Sequence, residues 1–141
     1  MNKQEAITIM QHSSREGKLS YLYDLDTAFD SYNRNIENSG EVIDVLIDIA
    51  LTSEDDEITN EILEVICSAQ ITQELMEADF DKIADNLNNV PIKFLPRYID
   101  ILSYTGNKKY SHFIINFKGH PDKYVREAVK DALVELRIAD F

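Results

Sequence analysis

The residues best placed to do chemistry in this chain are carboxylates. Between Asn35 and Asp81 there is no lysine or arginine, and more than half of the 26 acidic residues fall in that stretch. Glu41, Asp44 and Asp48 step by three and four residues. Glu57, Glu61 and Glu64 do the same, with Asp56 just ahead of them. On a helix this spacing puts each set on one side, where each like-charged pair costs about 0.2–0.5 kcal/mol. No lysine on either segment offsets that cost, which points to a face for a cationic partner. Two such helices stacked side by side would merge their stripes into one acidic surface. The plainer alternative is a solvated face on an acidic protein.

Tyr23 is the candidate anchor for such a face. It lies off the apolar stripe of its segment, beside Asp24 and Asp26, and tyrosine is enriched among residues that dominate interface energetics. Core packing is the expected role for most of the other tyrosines.

Catalysis asks for a constellation of groups that is not visible here. His12, His112 and His120 show no metal-binding spacing. His120, before Pro121 in a turn, reads as structural. Cys67 is the single cysteine; it excludes an internal disulfide and fits a small buried residue in a reducing compartment. Asp55-Asp56-Glu57 lacks the glycine and alternating oxygens of a calcium loop. There is no glycine-rich phosphate loop. The expectation is a protein that is not an enzyme and has no cofactor and no metal.

The net charge of −12 repels phosphate backbones and anionic membranes. It favours solubility and fast association with a cationic protein. The longest apolar-rich stretch, 42–51, is broken by Asp44 and Asp48 and is too short to span a bilayer. The N-terminus shows no signal-peptide pattern. These features give the expectation of a cytoplasmic protein, monomeric when free.

The elements that must position these groups read as helices. Only 4 glycines and 3 prolines occur in 141 residues, and Ile, Leu, Ala, Glu and Asp are abundant. Apolar spacing predicts eight helices in one domain, 1–141: about 4–15, 19–37, 41–52, 56–69, 72–87, one opening near Pro91, 108–117 and 122–137. Gly17 and Ser39-Gly40 are read as breaks. Ser53 with Asp56 is read as a cap, and the second helix carries Leu22, Leu25, Phe29, Tyr32 and Ile36 inward. The helices fall into pairs, with pair starts near Glu41, Gln73 and Asn107, about 33 residues apart, the period of two-helix repeat units.

The last pair carries a more specific pattern. Residues 120–136 run His-Pro-Asp-Lys-Tyr-Val-Arg-Glu-Ala-Val-Lys-Asp-Ala-Leu-Val-Glu-Leu. This resembles the second half of a HEAT repeat: a Pro-Asp turn, then Val-Arg, then small and leucine positions at helical spacing. Asp122 suits a helix cap behind Pro121. Ala128 and Ala132 permit close helix approach, and Arg126 is expected to reach the acidic or carbonyl end of a neighbouring element. The resemblance implies an all-α, HEAT-like solenoid of helical hairpins that serves as a protein-binding module. In size, charge and architecture the chain is also similar to bacterial immunity proteins of contact-dependent growth inhibition. That likeness implies an acidic face that occludes the active site of a cationic toxin nuclease. The alternative is a HEAT-like adaptor or assembly factor for a larger complex.

Overall fold

A computed structural model describes residues 1–31 and 35–139. Tyr32, expected on the apolar stripe of the second helix, lies outside the described residues. The described residues form eight α-helices and no strand: α1 (Lys3–His12), α2 (Arg15–Asp30), α3 (Ser39–Thr52), α4 (Asp56–Thr72), α5 (Asp81–Asn86), α6 (Leu95–Tyr104), α7 (Ser111–Ile114) and α8 (Lys123–Glu135). A 3-10 turn flanks α7 on each side, at Lys108–Tyr110 and Ile115–Phe117. The protein is therefore all-α. No helix among the described residues is long and apolar enough to cross a membrane.

The chain divides into two compact units, Met1–Phe80 and Asp81–Phe141. In the first, α1 packs on α2 and α3 on α4, and α1 also lies against α3 and α2 against α4. Two helical hairpins thus stack with like helices side by side, an arrangement compatible with a helical repeat. Leu22, Phe29, Ile43, Leu46, Ile47, Ile62, Leu63 and Ile66 are fully buried there. In the second unit α6 packs on α8, with α5 against α6 and α7 against α8. Its core holds Leu95, Tyr98, Ile99, Leu102, Val129 and Leu133. Ala128 and Ala132 are buried on α8, where their small size lets α6 approach.

Helix starts follow local capping chemistry. Asn2, Ser14, Asp55 and Asp122 each accept a backbone N–H of the following first turn, meeting donors that the helix itself leaves open. The cap of α4 is thus Asp55 rather than a Ser53/Asp56 pair; the Ser53 hydroxyl instead accepts the Asp55 N–H. Asp122 caps α8 as its sequence suggests, through Tyr124 N at 2.8 Å and Val125 N. Gly17 does not break α2. It sits in the first turn and gives its N–H to Ser14 Oγ at 3.0 Å.

Other boundaries also depart from the sequence reading. Ser39 and Gly40 open α3 instead of closing α2, behind Asn38 in the left-handed region at φ 67°, which asparagine tolerates better than most residues. α2 ends at Asp30 and Ile36 lies beyond it. Pro91 is outside α6; its carbonyl accepts the N–H of Phe94 and Leu95 in the turn before the helix, and Pro96 takes the tolerated place in the first turn.

The largest departure is 73–80, expected to be helical and found as an irregular crossing with a turn in which Ala78 N donates to the Leu75 carbonyl. Its polar groups bond to the segment around the start of α3. Asn35 Oδ1 accepts Glu74 N at 2.9 Å, Asp44 Oδ1 accepts Asp79 N at 2.9 Å, and Ile36 N donates to Gln73 Oε1. Tertiary hydrogen bonds thus replace the helical ladder. Met76, expected inward, is 87% exposed. Gln73 consequently caps the end of α4, so it does not start a helix and the regular spacing of pair starts fails at its middle member.

Candidate protein-binding face

The acidic face is built on α4. Glu57, Glu61, Glu64 and Ser68 recur at four, three and four residues, so they share one side of that helix. The helix packed beside this one is α2, and α2 contributes Asp26. Ser68 Oγ donates to Asp26 Oδ1 at 2.6 Å, tying the two helices together at the face. The Glu61 carboxyl is pushed above the usual carboxylate range, first by partial burial, then by the negative charges of Glu64, Asp26 and Glu57. One carboxylate therefore feels three others, drawn from two helices.

Tyr23 lies one turn before Asp26 on α2 and is 49% exposed. Asp26 was missed as a site residue in the sequence. Its signal was its place three residues from Tyr23, but only the α2–α4 packing shows that it meets the α4 acids.

The α3 acids stand apart from this cluster. None of Glu41, Asp44 and Asp48 is among the charges acting on Glu61. The reason is topological: α3 is the hairpin partner of α4, whereas the helix stacked alongside α4 is α2. Glu41 and Asp48 are exposed. Asp44 is half-buried and holds the Asp79 N–H, a structural task.

The N-terminal end of the α4 stripe is partly neutralised from outside the helix. Arg15 Nε meets Asp55 Oδ2 at 2.7 Å, and its Nη2 meets Glu57 Oε2 at 3.1 Å. Arg15 holds the Asp55 carboxyl below its usual range, helped by the α4 backbone N–H groups. Asp56 and Glu57 also sit in the first turn of α4, where negative charge favours the helix. Arg15 thus offsets the run of acids at Asp55 and Glu57, and among the described residues no such pair forms at Glu61. Glu61, Glu64 and Asp26 form the centre of the face, with Tyr23 beside it.

The groups considered for other chemistry are placed as follows. No set of three or more metal-ligating side chains gathers among the described residues. His120 Nδ1 accepts the Asp122 N–H at 3.0 Å and its ring lies near Phe117, so it shapes the turn before α8. Cys67, on α4, forms no disulfide among the described residues and is half-buried where a buried place was expected. Tyr21, Tyr98 and Tyr110 are buried, whereas Tyr23, Tyr104 and Tyr124 are exposed.

Comparison with protein-family models, with curated proteins and with solved structures finds no match to this chain.

Proposed function

We propose that this chain is a protein-binding module whose α2–α4 acidic face receives a cationic surface of a partner protein. The observation that carries the reading is the convergence of Asp26, Glu57 and Glu64 on Glu61. Mutual repulsion within such a cluster is relieved when a cationic surface covers it. Tyr23, exposed at the edge, supplies an apolar ring to bury against the partner. The net charge of −12 adds a long-range field that speeds encounter.

The partner class proposed is a cationic toxin nuclease domain, and the mechanism is occlusion. The carboxylates would take the places that nucleic-acid phosphates occupy in the nuclease cleft. The chain then acts as an immunity protein, in the cytoplasm, by blocking access rather than by catalysis. A second reading, an adaptor between two proteins, is favoured by the surface of opposite sign on α8 described below.

The test is a capture from native cell lysate at low and high salt, with the bound proteins identified and assayed. The immunity reading expects one small basic protein with nuclease activity that the captured chain inhibits. A large multi-subunit assembly whose members lack nuclease activity would overturn it and favour the adaptor.

A further inference from the structure

The second unit carries a groove of a different kind. Val129 and Leu133 of α8 lie beneath it, almost wholly covered, and the aliphatic stems of Lys118, Arg126 and Lys130 wall it. The cavity is about 320 Å³. That is at the small end of ligand-sized clefts, enough for one or two apolar side chains and not for a folded domain. Arg126 and Lys130 are one turn apart on α8, while Lys118 comes from the turn that follows Phe117.

The charges of this groove are notable for where they occur. The chain carries 26 acids against 14 lysines and arginines, yet three cations line this one groove. Arg126 Nη1 donates to the carbonyls of His120 and Pro121, both at 2.8 Å. That anchors the guanidinium at the turn before α8, where reach to a neighbouring element was expected from the sequence. Among the described residues, neither Lys118 nor Lys130 makes an ion pair. Both are exposed. Carboxylates of a partner would pair with both.

We propose that this groove docks a short acidic segment of a partner protein. An apolar side chain of the segment lies among the aliphatic stems of Lys118, Arg126 and Lys130, above the covered Val129 and Leu133, and flanking carboxylates meet Lys118 and Lys130. The choice of occupant rests on charge complementarity and on the size of the cavity. The site is independent of the α2–α4 acidic face, since it has the opposite sign and uses none of the same residues.

The experiment is an amide-shift titration of the isotopically labelled full chain with a synthetic acidic peptide of leucines flanked by glutamates. Saturable shifts are expected at Lys118 and from Arg126 to Leu133. A peptide with alanine for leucine should bind roughly tenfold more weakly, the loss of apolar burial. The Lys118→Glu/Lys130→Glu double variant changes two exposed side chains and should keep the native spectrum while losing roughly tenfold in affinity. Absence of shifts, equal binding by the double variant, or equal binding by a peptide with lysine for glutamate would each overturn the proposal. Concentration-dependent shifts of the same amides without peptide would also overturn it, because the occupant would then be a second copy.

Discussion

The Ser68 hydroxyl donates to the Asp26 carboxylate at 2.6 Å, so one of the bonds that fasten α4 to α2 also holds an acid on the proposed face. The short distance fits a hydrogen bond to a charged acceptor. Ser68→Ala should therefore do two things at once. It should cost about 1.5–3 kcal/mol in urea unfolding, the range for a hydrogen bond to a charged group. It should also free Asp26 to move, and so slow partner association more than the stability change explains. A stability loss with unaltered association would show that Asp26 has no part in binding.

Gly40 sits in the first turn of α3, where the 73–80 crossing passes close by. A Cβ built there would lie 3.1 Å from the Glu77 backbone nitrogen and would collide with its carboxylate. Glycine to alanine in a helix ordinarily stabilises by roughly 1 kcal/mol. Here Gly40→Ala should instead destabilise by about 1–2 kcal/mol, as overpacking does. Gly119→Ala is the control, since its Cβ would meet nothing within 4 Å and should shift stability by less than about 0.5 kcal/mol. Chemical denaturation of the two variants checks both values.

Asp100 on α6 gives the second unit a pH dependence. Burial pushes its carboxyl up to about 6; Arg97 opposes the shift and Asp131 adds to it. An unfolded aspartate titrates near about 3.9, so the folded state binds this proton more tightly. The stabilisation from protonated Asp100 is complete below pH ~3.9 and is lost as pH rises through about 6. Because the group is partly exposed and solvent screens it, the effect is about 1 kcal/mol. Asp100→Asn should raise stability at pH 7 by about that amount and flatten the slope between pH 4 and 6. Thermal unfolding across that range is the measurement. A slope unchanged in the variant would assign it to other groups.

The all-α class was legible because apolar residues recur at three and four residues throughout, and the cap of α8 was legible because Asp122 follows Pro121. The 73–80 crossing was not. Leu75 and Met76 have helical spacing, but the polar groups of the segment are taken by Asn35, Ile36 and Asp44, an effect of tertiary contact that no local pattern carries. The candidate site was half legible. The α4 stripe was visible as a run of acids, but its merger with α2 depended on which helix stacks beside α4. Arg15 was hidden for the same reason: it lies 40 residues from its partner Asp55. That pair also means that Glu57 is a poor position for charge reversal, because a lysine there would face Arg15.

The central claim is tested most directly by association kinetics of the captured partner with the wild type and with a face variant that leaves the Arg15 pairs intact. Asp26→Asn/Glu61→Gln/Glu64→Gln removes three charges from the centre of the face with little change in shape. The account predicts that association slows roughly tenfold at low salt, that the salt dependence becomes shallower, and that the dissociation rate rises less than the association rate falls. An association rate equal to the wild type at every ionic strength, with the fold intact, would contradict it.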